Sequence, residues 1–248
     1  MKRLFIISAL VFLAGCATPL PQTPPSGLAA QVPAPRIQSG EEWTYRVSDG
    51  FTGLARPTER YLVTEAGGDR VAVTVSREGT NDELQMYDGQ WRWLKHPATN
   101  MQAFDYSPPY PAYAFPLAAG RTWNARLTAT DPANGRRFPL TLDGVVLGWD
   151  RVKVPAGEFD ALKVRRIVFL DYYEAAVRGR SEIIETEWYA PAVKQAVRRE
   201  TTSRFLSYYL QGERSPGYLR VRDRSDGGTP RLVQDDWLIY ELVSHTAR

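Results

Sequence analysis

Glu185 and Glu187 come nearest, by type and spacing, to a catalytic arrangement in this chain. On one strand they share a face, about 7 Å apart, and two carboxylates at such a distance can divide the acid, base and nucleophile roles of a hydrolase. A plainer reading competes with that. If Ala190 to Val193 close a hairpin, Glu185 faces Arg198 or its neighbour, and cross-strand ion pairs account for the carboxylates. Asp235 and Asp236 are adjacent, so in a strand they point to opposite faces. The two histidines, His96 and His245, stand in neither H-x-x-x-H nor H-E-x-x-H spacing, and no second cysteine can complete a metal site. The sequence also lacks a G-x-S-x-G elbow and a glycine-rich phosphate cradle. The expectation is therefore no enzyme, no metal and no cofactor.

The remaining reactive group is the single thiol, Cys16, which excludes an intramolecular disulfide. Lys2 and Arg3 precede an apolar run, Leu4 to Leu13, that is too short to span a bilayer and has the layout of a secretory signal peptide. Leu13-Ala14-Gly15-Cys16 resembles the lipobox of bacterial lipoproteins. That resemblance implies a signal peptide over 1–15, cleavage before Cys16, and fatty acyl chains on the cysteine. Each buried methylene then contributes about 0.8 kcal/mol to anchoring, so the expected partner is membrane lipid held through acylated Cys16. Ala17 in place of Asp implies, by the same family's sorting, the outer membrane of a Gram-negative cell, facing the periplasm.

Without Lys2 and Arg3 the 31 basic residues become 29, against 28 acidic ones, a net charge of +1. Basic and acidic residues are interspersed, so no concentrated cationic face exists for phosphate recognition, and nucleic acid is not an expected partner. Residues 16–39 hold six prolines, Pro19 to Pro35, among small and polar residues. They read as an extended tether outside any core, reaching some 60 Å at about 3.1 Å per residue.

The elements that must position these groups begin near residue 40. From there the dominant period is two. Trp43, Tyr45 and Val47 alternate with Thr44, Arg46 and Ser48, and Val71, Val73 and Val75 alternate with Ala72, Thr74 and Ser76. Further strands are predicted over Trp123–Thr130, Phe138–Leu147, Ala161–Tyr173, Ser181–Tyr189, Lys194–Ser203 and Trp237–Val243, with turns at 131–135 and 226–228. Asp88-Gly89 predicts a two-residue hairpin that sets Leu84 opposite Trp93 and Met86 opposite Trp91, with Gln85 and Arg92 on the other face. The fold class is all-β: one domain over 40–248, an antiparallel β-sandwich, barrel or curved half-barrel.

Between Pro97 and Ala119 the pattern breaks. Pro108, Pro109, Pro111 and Pro116 exclude a central strand. Tyr106, Tyr110, Tyr113 and Phe115 either form an aromatic contact surface for a ligand or partner, or pack as a crossover over one barrel end.

Val152 to Val164, running V-K-V-P-A-G-E-F-D-A-L-K-V, resembles the V-P-A-G-x-F-x-x-x-K-V signature of an uncharacterised bacterial cell-envelope family. With Gly120-x-x-Trp123 before it and Glu187-Trp188-Tyr189-Ala190-Pro191 after it, the likeness runs from about Gly120 to Glu200. It implies a β-rich envelope domain and brings no catalytic residues. Two roles fit these observations: a non-catalytic module for an envelope protein or cell-wall component, or a carrier or sensor of a lipid or other apolar ligand in a curved sheet.

Overall fold

The structure, a computed structural model, describes residues 19–98, 102–174, 177–207 and 231–246. Cys16, the signal segment 1–15 and the turn at 226–228 lie outside these residues. Twelve strands form among the described residues: β1 (Glu42–Asp49), β2 (Ala55–Gly67), β3 (Arg70–Arg77), β4 (Glu83–Asp88), β5 (Trp93–Pro97), β6 (Ala103–Tyr110), β7 (Thr122–Thr130), β8 (Arg137–Val154), β9 (Gly157–Glu174), β10 (Val177–Ala190), β11 (Gln195–Ser207) and β12 (Arg231–Thr246). Each pairs antiparallel with its sequence neighbours, and β1 pairs with β12. Of the three architectures the sequence allows, the chain therefore adopts the closed, up-and-down barrel, which leaves no sheet edge unpaired.

The period-two pattern decides which side of the wall is which. Trp43, Tyr45, Val47, Val71, Val73 and Val75 point inward and are buried. Outward positions carry cross-strand ion pairs, such as Arg46–Glu241 at 2.6 Å and Arg204–Glu182 at 2.7 Å. Such exposed pairs add little stability. Their location is informative all the same, because a charged outer wall around an aromatic interior is the reverse of a membrane-spanning barrel.

In a meander the odd strands all run the same way. One barrel end, the near end, therefore collects the β2–β3, β4–β5, β6–β7, β8–β9 and β10–β11 connections. The other end, the mouth, collects the rest. At the near end Val154 pairs with Gly157, so Pro155-Ala156 is the β8–β9 turn, and Gly157 takes the positive φ of 135° that the turn requires. A register shift between Val146 and Gly148 bends β8, and the amide of Ala156 reaches the carbonyl of Leu242 on β12 at 2.9 Å. The hairpin thus folds across the barrel end.

Three expectations are corrected. The hairpin at Asp88-Gly89 is longer than two residues and the face of its first strand is inverted: Tyr87 pairs with Trp93, Gln85 and Tyr87 point inward and Leu84 is exposed, while Trp91 and Trp93 stay buried. The cause is local. The Asp88 carboxylate accepts from the amides of Gln90 and Arg92, Trp91 takes a φ of 62°, and the Gly89 amide is drawn to the Asp69 carbonyl. Second, Pro108 and Pro109 do lie in a strand, β6, but the ladder to β7 ends at Ser107, so neither proline removes a hydrogen bond that the ladder needs.

Third, the proline-rich segment is no free stalk. Pro21 accepts the Trp149 amide at 2.8 Å, Val32 and Leu117 exchange both backbone hydrogen bonds, and Val32 belongs to the core. These contacts fall on the near end. Its prolines cannot donate, but the carbonyls and the amides between them can pair, and here they do.

Candidate functional site

Inward positions along β9 read Leu162, Val164, Arg166, Val168 and Leu170, an apolar series interrupted by one guanidinium. Arg166 is fully buried, and a buried cation persists only where anions and acceptors meet it. β10 supplies them. Arg166 Nε donates to Glu185 Oε2 at 2.7 Å, Nη2 lies 2.9 Å from Glu187 Oε1, and Nη1 donates to the carbonyl of Ala112 at 2.8 Å. The β6–β7 connection enters the barrel end over this knot. Tyr110 donates to Glu185 at 2.9 Å, Tyr113 donates to Glu187, and the rings of Trp93 and Tyr113 stand 5.7 and 5.5 Å from the guanidinium carbon.

The two carboxylates therefore do share a face, as their parity requires, but their partners are not those the hairpin predicts. Glu185 lies opposite Thr201 on β11 and takes its cation from the other neighbour, β9. A bulge between Trp188 and Tyr189 and a 3-10 turn at Pro191–Val193 displace the register by three residues. Burial raises the Glu187 carboxyl, and the charge and hydrogen bond of Arg166 outweigh that, holding it below the ordinary carboxylate range. A carboxylate fixed in its ionised form cannot serve as a general acid at neutral pH.

Tyr106, Tyr110 and Tyr113 are buried, and Phe115 is half-buried against the core. They form no platform on the outer surface. Trp93 stacks on His96 at 3.6 Å and on Tyr110 at 4.3 Å, and Tyr87 stacks on Trp91 at 4.2 Å, so rings occupy the barrel axis. This packing removes the motive for an apolar carrier, because the concave face that would hold an acyl chain is already filled.

A second polar system leads from the interior to the mouth. Arg199 stands over the rings of Tyr45, Tyr61 and Tyr240 at 5.0, 5.1 and 4.3 Å and donates to the Tyr61 hydroxyl at 2.8 Å. Tyr61 donates to Glu59, which also accepts from Arg77 at 2.6 Å, and Arg77 reaches Glu83 at 3.3 Å. The tyrosine hydroxyls stay protonated: burial is the main cause of the upward shift at Tyr45 and Tyr61, opposed by Arg199. Glu59, Arg77 and Glu83 then form one wall of a cavity of about 290 Å³ at the mouth, with Arg56, Asp236 and Tyr240 also lining it. Its charged lining suits a small polar ligand or the charged side chains of a partner. No spacing in the sequence marked it, because its lining comes from six strands, β1 to β5 and β12, that only closure assembles. Among the described residues no cluster of metal-ligating side chains occurs.

No protein-family model matches the chain, and no curated protein matches it. Among solved structures, a candidate lipoprotein from Parabacteroides distasonis ATCC 8503 is 17% identical with a TM-score of 0.51, over 87% of this chain and 97% of that one. A candidate exported protein with a YmcC-like fold from Bacteroides fragilis NCTC 9343 is 15% identical with a TM-score of 0.47, over 89% and 100%. The hypothetical lipoprotein YmcC of Escherichia coli K12 is 11% identical with a TM-score of 0.38, over 66% and 82%. At these identities the likeness is one of fold, carried by the first of the three.

Proposed function

We propose that the chain is a lipoprotein of the bacterial cell envelope, anchored through acylated Cys16 in the outer membrane facing the periplasm, and that its barrel is a non-catalytic binding or structural module. The observation that carries the non-catalytic reading is the knot around Arg166. The carboxylates that chemistry would need are buried and committed to an arginine and two tyrosines. What the barrel offers a partner, an envelope protein or a cell-wall component, is the charged mouth rather than an apolar chamber.

Replacing Cys16 by Ser tests the anchor. The native chain is expected to fractionate with membranes and to carry acyl mass on its first mature residue, whereas Cys16→Ser moves to the soluble fraction. Unchanged membrane fractionation, with no acyl groups on the native form, would end the proposal. The mouth has its own test. A photocrosslinking residue at Arg56, on the mouth, is expected to yield an adduct in cells that the same residue at Arg126, on the outer wall, does not. Equal labelling at the two positions removes the mouth from the reading.

A further inference from the structure

The strap sets a limit on geometry that its composition hides. Pro21 accepts the Trp149 amide at 2.8 Å, and Gln22 Nε2 donates to the Leu147 carbonyl at 3.0 Å. These contacts lie on either side of Gly148, where a Cβ would come within 2.7 Å of the Pro21 carbonyl oxygen and 2.8 Å of Leu20 Cβ. Glycine is thus required for the close approach as well as for its φ of 140°. Further along, Val32 exchanges two backbone hydrogen bonds with Leu117, and Lys194 Nζ donates to the Arg36 carbonyl at 3.0 Å. The strap is therefore fastened at three separate places on the near end.

We infer that this strap orients the barrel on the bilayer, with the near end against the lipid surface and the charged mouth facing away. The inference rests on the acylation of Cys16 proposed above. Leu20 is four residues beyond Cys16, and at 3.3–3.6 Å per residue the covalent chain places Leu20 no more than about 14 Å from the acylated residue. A free tether from Cys16 to Ser39 would let the barrel tumble at several times that distance. A fastened one does not. Around the Pro155–Ala156 tip, Lys153 and Glu158 are exposed and Arg151 pairs with Glu158, so this end rests among polar headgroups and does not enter the hydrocarbon. The mouth stands off by the length of the wall, roughly 25 Å for an eight-residue strand such as β1.

The test uses mature acylated protein in vesicles of phosphatidylcholine and phosphatidylglycerol doped with a nitroxide-headgroup lipid. The acylated Cys16 sulfur does not react with a thiol label. A fluorophore can therefore be placed singly through Lys153→Cys or Asp69→Cys at the near end, or through Asn81→Cys in the β3–β4 turn at the mouth. Quenching is expected to be severalfold stronger at Lys153→Cys and Asp69→Cys than at Asn81→Cys. Gly148→Val, which unseats the strap, is expected to even out the three. A flexible Gly-Ser insertion of about twelve residues between Thr18 and Pro19 is expected to do the same without touching the barrel, by adding roughly 20 Å of reach. Equal quenching with the native strap, in protein that carries acyl mass and sediments fully with the vesicles, overturns the orientation alone. Absence of acyl mass and of sedimentation overturns the anchor, and the orientation with it.

Discussion

Arg166→Met is expected to lower the free energy of unfolding by about 3–5 kcal/mol, because it leaves two buried carboxylates without their cation. The guanidinium is fully buried and touches Glu185, Glu187 and the Ala112 carbonyl, and no other cation among the described residues meets all three. The loss is one of pairing more than of packing, since Met fills much of the same volume. Neutralising the whole knot should therefore recover most of it. In Arg166→Met/Glu185→Gln/Glu187→Gln, Tyr110 and Tyr113 can still donate to the amide oxygens, and no uncompensated charge remains. Urea unfolding of the single and triple variants checks both halves. A single variant within about 1 kcal/mol of native would contradict the burial argument. A triple variant as unstable as the single one would show that the knot holds the β6–β7 connection by more than charge balance.

Acidification from pH 6.5 toward 3 is expected to destabilise the protein well before its carboxylates titrate in bulk. Burial is the main cause that brings the His96 imidazole down to about 3, aided by the positive Arg199 and opposed by the hydrogen bond to the Pro97 carbonyl. The unfolded chain takes up a proton near 6.5 and the folded one does not until about 3. Between those values the unfolded state binds more protons, so stability falls as pH falls, by roughly 1.4 kcal/mol per pH unit. Glu187 adds to this lower down. Its folded value is depressed, so its contribution is present above the ordinary carboxylate range and is lost as pH falls through the folded value. His96→Phe keeps a ring against Trp93 and removes the titration. Its unfolding free energy should stay nearly flat from pH 6.5 to 5, where the native protein has already lost stability. The same slope in both proteins would show that His96 is not the group that opens the barrel.

How much of this was legible beforehand depended on the range over which each feature is decided. The inward series of β1 and β3 are local patterns, and they lie where their parity requires. The Asp88-Gly89 hairpin failed although its signal is local, because a carboxylate capping two amides and a carbonyl from the β2–β3 turn outweighed the dipeptide's preference. Arg166 left a readable trace, a lone cation among inward apolar positions of β9, but that Glu185 meets it rather than a cation of β11 depends on a bulge and a 3-10 turn that together move the β10–β11 register by three residues. The mouth cavity left none.

Taken alone, the chain determined its strand character, its lack of metal or nucleophile spacing, and the Cys16 segment from which its address is inferred, since each depends on side-chain type and separations of a few residues. Only the tertiary structure decided that the sheet closes, that aromatic rings fill it, that Glu185 and Glu187 neutralise Arg166, and that the proline-rich strap lies down on the barrel. Those outcomes turn on the packing and backbone pairing of groups from 19 residues apart, as with Arg166 and Glu185, to well over a hundred, as with Pro21 and Trp149. Composition says which groups can pair, and closure says which ones meet.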